Sequence, residues 1–502
     1  IAATAVTVNP AVLPAGTARP GVRVGAGVTL DTSGTWTNDT PTIAGRNPAD
    51  PVTLDGGDIA LTVEAIGGEL QVGDGVTLRA DGGAWLDAGG RLQSGGGGNL
   101  SILARGPDVA LATLGRLDLS AWGLAGSGGT LALAANRLRV ASGGAAPGVP
   151  QVADPLAGDA PYVLDPAFFD QGSFREYRVV APRQQRWRPA GGFASLPTGT
   201  APDSVFAAFL PPADIREAAS LAFGYAPHAG VARANAGDLR FAAGAAIDLD
   251  AGGRVDFTAP TRVLLDGAIT APGGRVTARL AAPGALDEGF DPAVGIFVGS
   301  DARFDLRGAF VPTANDAGLR VGTVRDGGRV ALTAERGRVE LAAGALLDVS
   351  GAAATLDLPS AGGQSSGPAV TPTLVGSRGG RVELLAPEGL VVDATLRGAG
   401  GAAGVEGGEL ALGVSRQRGF AADPDDLPTF PATPREIVVG GGAAAGNGLG
   451  VLDPARLAGS GFDSLTLQAD DAIRFTGAAN LAVRNRLVLQ APNLEAPASG
   501  DV

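Results

Sequence analysis

One short phrase recurs along this chain of 502 residues and limits what it can fold into. The phrase is a pair of glycines followed by alternating polar and apolar residues, as in "GGRVALTA" from Gly327 and "GGRVELLA" from Gly379. Alternation with a period of two is typical of a β-strand that buries one face. The phrase therefore predicts repeated strands, with no helix between the copies. Further copies begin at Gly56, Gly97, Gly128, Gly252, Gly273 and Gly407.

A second phrase lies between these copies and places an aspartate after apolar residues, as in "LLDVSG" ending at Gly351. A residue that returns once in every repeat is more typical of a turn than of a catalytic site, because an acid and base pair needs one unique geometry. We therefore predict Asx turns rather than catalysis at the recurring aspartates. These are Asp31, Asp118, Asp248 and Asp348.

The spacing of the copies indicates a stacked repeat. Gly252 and Gly273 are 21 residues apart, which fits one supersecondary unit stacked on copies of itself. Within residues 326–351, three alternating phrases are separated by glycine breaks, and we interpret them as strands on three faces of one coil. The sequence predicts an all-β fold, a right-handed parallel β-helix (solenoid) with loop insertions.

The repeats are interrupted once at length. We predict β-helix coils over 1–140 and 236–502, and an irregular insertion over 141–235 that is rich in Pro, Arg and aromatic residues. Inside the insertion, Asp214 and Glu217 form a capping-box pattern ahead of small apolar residues. This pattern predicts one short helix near 214–223.

A longer phrase occurs twice and suggests two related blocks. "VLDPAFFDQGSF" over 163–174 matches "VLDPARLAGSGF" over 451–462, and each copy leads into an alternating run. We interpret the phrase as a shared boundary element.

Composition excludes several classes of function. The net charge of −13 argues against nucleic-acid binding, which needs a basic surface. Cys is absent, so disulfides and thiolate chemistry are excluded. No apolar run is long enough for a transmembrane helix. We therefore expect no membrane span, no cofactor and no metal site.

Candidate functional side chains are few. His228 lies in the loop "YAPHAGVARA" without a nucleophile motif nearby, and we interpret it as an exposed loop residue. Asp423, Asp425 and Asp426 in "ADPDDLP" offer oxygen ligands to a hard cation but lack calcium-loop spacing, which favours a solvated loop. We predict no catalytic residues.

An interaction site is predicted in the insertion. Arg183, Arg186 and Arg188 surround Trp187 in "RQQRWRPAGGF", within an otherwise acidic chain. Arginine and tryptophan contribute strongly to contact energy at interfaces. The alternative is that Trp187 anchors the insertion to the coils while the arginines remain in water.

Three features of the sequence resemble the filamentous-haemagglutinin-like exoproteins of the two-partner secretion family. They are the glycine-pair repeats, the "GALLDVSGA" phrases and the run "LDPARLAGSGFDSLTLQADDAIRFTGAANLAVRNRLVLQAPNLEA" over 452–496. The resemblance covers most of the chain outside about 141–235. Such proteins carry an amino-terminal secretion domain marked by "NPNL" and "NPNG" turns. "VNPA" over 8–11 and "APNL" over 491–494 fit these turns poorly, so we expect a repeat-region fragment without the secretion domain.

The resemblance implies a structural role. We expect a non-enzymatic rod segment of a secreted or cell-surface bacterial adhesin that mediates attachment or filament formation. It also implies an outer-membrane transporter as the partner in export, and a ligand on a host or neighbouring cell, for which a carbohydrate is one candidate. Two alternatives stay open: a self-assembling extracellular matrix or sheath component, and a carbohydrate-active β-helix enzyme.

Overall fold

Two compact units make up the chain in a computed structural model. Unit 1 comprises 1–250 and 255–260, and unit 2 comprises 251–254 and 261–502. The structure describes residues 1–6, 20–39, 53–65, 67–105, 109–114, 117–123, 128–135, 138–145, 151–152, 162–164, 166–169, 174–180, 204–209, 217–224, 238–280, 290–313, 318–360, 370–416, 433–440, 446–476 and 481–496.

Unit 1 is built from short strands. The first are β1 (Ala2–Ala5), β2 (Gly21–Val24), β3 (Thr29–Asp31), β4 (Trp36–Asn38), β5 (Ile59–Val63), β6 (Glu69–Val72), β7 (Val76–Arg79), β8 (Ala84–Leu86), β9 (Leu92–Ser94), β10 (Asn99–Ala104), β11 (Ala110–Leu114) and β12 (Leu117–Ser120). They are followed by β13 (Gly129–Ala134), β14 (Leu138–Ala145), β15 (Gln151–Val152), β16 (Tyr162–Leu164), a 3-10 helix (Pro166–Phe169), β17 (Phe174–Val180), β18 (Ser204–Phe209), β19 (Glu217–Ala218), β20 (Ser220–Gly224), β21 (Asp238–Phe241), β22 (Ala246–Leu249) and β23 (Arg254–Ala259), whose first residue belongs to unit 2.

Unit 2 continues with the same kind of element. Its first strands are β24 (Arg262–Leu265), β25 (Ala268–Thr270), β26 (Arg275–Leu280), β27 (Gly295–Val298), β28 (Arg303–Asp305), β29 (Phe310–Pro312), β30 (Gly322–Val324), β31 (Arg329–Ala334), β32 (Arg338–Leu341), β33 (Leu346–Asp348) and β34 (Ala353–Pro359). The remainder are β35 (Val370–Gly376), β36 (Arg381–Leu385), β37 (Leu390–Val392), β38 (Thr395–Arg397), β39 (Glu409–Val414), β40 (Glu436–Val439), β41 (Leu449–Leu452), α1 (Pro454–Leu457), β42 (Ser464–Ala469), β43 (Ala472–Phe475), β44 (Arg486–Gln490) and β45 (Asn493–Glu495).

In unit 1, three successive strands pair with the next three rather than with each other. Strands β1, β2 and β3 pair in parallel with β5, β6 and β7, which pair in turn with β10, β11 and β12. The first of these sheets continues through β13, β17 and β20. Each strand therefore finds its partner only after the chain has passed through the two other sheets.

Unit 2 shows the same pairing with longer sheets. The order β26-β31-β36-β39-β42-β44 is parallel throughout, as is β24-β27-β32-β37-β41-β40-β43-β45. A third parallel sheet holds β25-β28-β33-β38. The three phrases of 326–351 form strands, as their alternation predicts; these strands are β31, β32 and β33, one in each of these sheets.

The core of unit 2 is mainly a stack of aliphatic side chains. In β31, Val330, Leu332 and Ala334 are fully buried, while Arg329 and Ala331 face outward and are partly exposed. Because neighbouring strands are in register, Val276, Val330, Val382 and Leu410 form one buried row. The all-β, mainly parallel character expected from the sequence is thus confirmed.

In the described part of unit 2, two antiparallel hairpins lie between strands of the parallel sheets. Strands β29 and β30 pair with each other, as do β34 and β35, whose ladder runs from Ala353↔Gly376 to Pro359↔Val370. The Asp357 amide donates to the Arg320 carbonyl at 2.9 Å, and the Arg320 amide donates to an Asp357 carboxylate oxygen at 2.7 Å. These two hydrogen bonds therefore join the segment before β30 to the second hairpin.

The prediction of a helix near 214–223 is wrong for residues 217–223, because the chain forms strands β19 and β20 there. Residues 210–216 lie outside the described part of the chain. Ala219, Leu221 and Phe223 are buried at every second position, and this alternation outweighs the capping-box pattern. Strand β20 pairs with β17 in the main sheet of unit 1. The predicted irregular insertion over 141–235 thus contains strands β15 to β20 among its described residues, and β17 and β20 belong to the main sheet.

The repeated "VLDP" phrase has a similar local structure in both copies, with a 3-10 helix in the first and a one-turn α-helix in the second. In unit 1, β16 leads into the 3-10 helix and then β17; in unit 2, β41 leads into α1 and then β42. The Asp453 carboxylate caps α1 by accepting from the Ala455 amide at 2.9 Å. The phrase is one short helical turn placed between a strand of one sheet and a strand of another.

Candidate functional site

A groove of about 570 Å³ lies along unit 2 where the main-sheet strands begin. Its floor is formed by the glycine pairs that precede these strands, and charged side chains line it. The charged residues are Arg254, Arg275, Arg325, Asp326, Arg329, Arg378, Arg381, Glu406 and Glu409. We call this the arginine groove.

The register of the parallel strands places the arginines above one another. Arg275 is paired with Arg329, and Arg329 with Arg381. The next two positions in the same row are Glu409 and Ser464. Parallel strands lie about 4.8 Å apart, so the "GGR" repeats of the sequence become a ladder of cations at that interval.

Glycine is required at the floor because neighbouring backbones approach closely. A Cβ atom at Gly380 would collide with the Gly328 carbonyl oxygen, and one at Gly327 with the carbonyl oxygen of Val349. The floor amides are used within the fold, since Gly328 donates to Leu306 at 2.7 Å and Gly380 to Val349 at 2.6 Å. The floor thus offers a smooth surface, and the arginine side chains supply the charge.

Carboxylates neutralise one part of the ladder. Glu383 contacts the guanidinium of Arg329 and lies 3.7 Å from Arg381 Nε. Glu409 is 3.3 Å from Arg381, and Glu406 is 3.5 Å from Arg378. Each arginine of this part is therefore matched to a carboxylate of the chain itself.

The arginines in the other part of the ladder are not ion-paired to any described residue, although β23 carries Asp256 two residues after Arg254, at the repeat position that Glu383 takes in β36. Arg254, Arg275 and Arg325 form no ion pair or side-chain hydrogen bond with any residue that the structure describes. In register with Glu383, the outward position is Ala331 one strand away and Thr277 two strands away. Asp326 is directed to the next repeat, where its carboxylate accepts from the Arg378 amide at 2.8 Å.

Arg325 lies over two glycines at this end. A Cβ atom on Gly252 would lie 2.8 Å from a terminal nitrogen of Arg325, and one on Gly273 would lie 3.4 Å from Arg325 Cβ. Both glycines have positive φ, 93° and 60°, which L side chains rarely adopt. The Arg275 amide donates to the Gly253 carbonyl at 2.9 Å, which places Arg254 one position along the ladder from Arg275.

A second charged cluster in unit 2 is buried and has a structural role. Arg336 and Glu388 form an ion pair at 2.6 Å with both side chains out of water, and Glu388 also accepts from the Gly337 amide at 2.7 Å. Arg435 is fully buried and donates from Nε to the Pro387 carbonyl at 2.9 Å. Burial lowers the pKa of Arg435, with a further lowering by Arg416. This cluster fixes the turn between β36 and β37.

The predicted Asx turns are formed at two of the four recurring aspartates. Asp31 accepts from the Ser33 amide at 2.9 Å and Asp348 from the Ser350 amide at 3.0 Å. The hydrogen bonds from Ser33 lower the pKa of Asp31. Asp118 instead lies 3.3 Å from Arg79 on the neighbouring strand, and Asp248 lies in β22.

Asp305 shows the same turn geometry with an added ion pair. It accepts from the Arg307 amide at 3.3 Å and from the Arg307 guanidinium at 2.8 and 2.6 Å. The hydrogen bond from the Arg307 side chain is the main cause that lowers the pKa of Asp305 below its ordinary value.

The predicted interaction site falls outside the described residues. Arg183, Arg186, Trp187 and Arg188 lie in 181–200, His228 in 225–237, and Asp423, Asp425 and Asp426 in 417–432, all outside that part. Among the described residues, no group of three His, Cys, Asp or Glu side chains is placed to hold a metal ion. No helix of the described part has the length and apolar character needed to cross a membrane.

Sequence reasoning missed the arginine groove although its signal is visible. Arginine follows the glycine pair at Gly252, Gly273, Gly327 and Gly379, and in-register stacking brings these copies together. The carboxylates that neutralise part of the row come from other positions of the repeat, so only the structure separates paired from unpaired cations.

The chain matches no model of a known protein family, no curated protein and no solved structure.

Proposed function

We propose that each unit is a stretch of right-handed parallel β-helix, and that the chain is a structural, non-enzymatic segment of a secreted or cell-surface bacterial exoprotein that mediates attachment. The observation that supports this proposal is the pairing of three successive strands with the next three, in both units. A fold of this type is stabilised repeat by repeat through nearest-neighbour contacts.

Two sequence properties support export. A chain without cysteine needs no oxidation step to reach its native state, and a repeat fold can form progressively as the chain emerges. The resemblance of residues 452–496 to filamentous-haemagglutinin-like exoproteins points in the same direction and implies a transporter partner in the outer membrane.

The proposal is tested in the organism that carries the gene. Antibodies against this chain should label intact cells or recover the chain from the medium, and deletion of the gene should lower attachment until a plasmid copy restores it. A chain confined to the cytoplasm would overturn the proposal, as would deletion mutants that attach as well as the parent.

A purified-protein assay tests the non-enzymatic part. Incubation with neutral and acidic polysaccharides should release no new reducing or unsaturated ends. Turnover that rises in proportion to protein concentration would instead establish a carbohydrate-active enzyme. Electron microscopy of the same sample should show separate particles, since ordered fibres would indicate a matrix or sheath component.

A further inference from the structure

The geometry points to a binding site for a linear carboxylated polysaccharide, of the polyuronate class, at the end of the arginine groove formed by Arg254, Arg275 and Arg325. The site is inferred from the carboxylate that lies between two arginines elsewhere in the ladder. Where Glu383 is present, it bridges Arg329 and Arg381 on adjacent strands. One step along the ladder, the equivalent bridge between Arg275 and Arg329 would come from position 331, which is alanine. A ligand carboxylate would complete the pattern there.

Charge makes the ligand an anion. The chain as a whole carries −13, yet Arg254, Arg275 and Arg325 come together without an ion-paired carboxylate among the described residues. Arginine binds carboxylates through two parallel hydrogen bonds, which makes it suited to planar anionic groups. Arg254 and Arg325 are exposed and Arg275 is partly exposed, so all three are open to a ligand.

The floor of the groove favours a saccharide over a peptide. An extended peptide binds a sheet by main-chain hydrogen bonds and inserts side chains into pockets. Here the glycine amides already donate within the fold, for example Gly274 to Ala271 at 2.8 Å and Gly328 to Leu306 at 2.7 Å. Apart from Ser464, the lining consists of glycines and charged side chains, which suits a polymer of hydroxyl and carboxylate groups.

The spacing favours a polymer over a single anion. Arginines that stack at about 4.8 Å form a row along the sheet, and a row of cations binds most strongly to a ligand whose charges also repeat. This inference goes beyond the proposed function and rests on the groove alone, so it holds whether or not the chain mediates attachment.

The experiment uses the full chain and two independent variants. Ala331→Glu introduces a carboxylate between Arg275 and Arg329, as Glu383 lies between Arg329 and Arg381. This variant should block the site for a ligand carboxylate while all arginines remain. Arg275→Ala with Arg325→Ala removes two of the cations. The matched control is Arg397→Ala, an arginine with a 58% exposed side chain in another sheet of unit 2. Circular dichroism checks that every variant is folded.

Titration calorimetry with polygalacturonate oligosaccharides provides the readout. The wild type and Arg397→Ala should bind equally, and each of the other two variants should lose about tenfold or more in affinity, since hydrogen bonds between charged groups are lost. Binding should weaken as salt rises, because released counterions contribute to it.

Four results would overturn the inference. They are no binding of polygalacturonate by the wild type, unchanged affinity in Ala331→Glu, equal binding of neutral dextran, and tighter binding of dextran sulfate or polyglutamate than of polygalacturonate. The first two reject the site, and the last two reject the ligand class. None of them bears on where the chain is located in the cell, so the proposed function is tested separately.

Discussion

Glu388 and Arg336 are charged side chains that unit 2 removes almost entirely from water. A buried carboxylate without its charge partner is costly, and so is a buried guanidinium without its carboxylate. The pair therefore holds the turn before β37 as a unit, together with the Gly337 amide.

Replacing Glu388 with glutamine should lower the free energy of unfolding by about 3 kcal/mol or more, because the buried Arg336 would lose the charge of the carboxylate that lies 2.6 Å from it. Asp393→Asn is the control, since Asp393 is 52% exposed and lies 3.8 Å from Arg456. The control should change stability by about 1 kcal/mol or less. Urea unfolding of the full chain measures both, and equal effects would show that the buried pair is not a structural anchor.

Asp305 provides a test by pH. Because Arg307 lowers its folded pKa, the carboxylate adds stability at any pH above its unfolded value of about 3.9, and this stability is lost as the pH falls through the folded pKa. Asp305→Asn should therefore unfold at lower urea than the wild type near neutral pH. The two should converge well below pH 4. A difference that persists or grows in acid would contradict the ion pair.

At the scale of elements, the glycine pairs decide how closely the strands of the main sheet approach. Gly380→Ala should destabilise unit 2 by about 1–3 kcal/mol, because its Cβ atom meets the Gly328 carbonyl and backbone must move. Gly446→Ala is the matched control, since nothing lies within 4 Å of a Cβ atom there. Urea midpoints compare the two, and similar values would show that close stacking does not explain the glycines.

Alternation predicts most of the strands but not their partners. The pattern in "GGRVALTA" fixes which side chains of β31 are buried, because a strand places alternate residues on opposite faces. At 219–223, however, two patterns overlap in the sequence. Ala219, Leu221 and Phe223 alternate as in a strand. The capping-box residues Asp214 and Glu217, with apolar residues at 215, 218, 219 and 222, fit a short helix. Pairing with β17 decides between the two, and that contact is not visible in the local sequence.

At the scale of the molecule, the sequence predicts the type of fold better than the site. The repeat phrase implies parallel strands in several sheets, and the structure shows this arrangement in both units. The arginine groove depends on register between residues far apart in the chain, such as Arg275↔Arg329, which are separated by 54 positions. Whether a given arginine is neutralised depends on single residues such as Ala331 and Glu383, so the composition of the repeat alone cannot locate the site.

The proposed fold depends most on the in-register stacking of successive sets of three strands on three sheets. The chain has no cysteine, so pairs of introduced cysteines can test this directly. Ala331 with Glu383, Glu340 with Val391, and Asp348 with Arg397 are opposite each other in the three sheets. Paired residues on adjacent strands lie within the Cα range of about 4.4–6.8 Å that a disulfide requires.

The decisive measurement is disulfide formation under mild oxidation in these three double-cysteine variants, with a fourth carrying cysteines at 331 and 391 as the control. Those two positions lie in different sheets, on strands β31 and β37. We predict rapid cross-linking in all three matched pairs and none in the control. Failure of any one sheet's pair, or equal cross-linking of the control, would contradict the proposed fold.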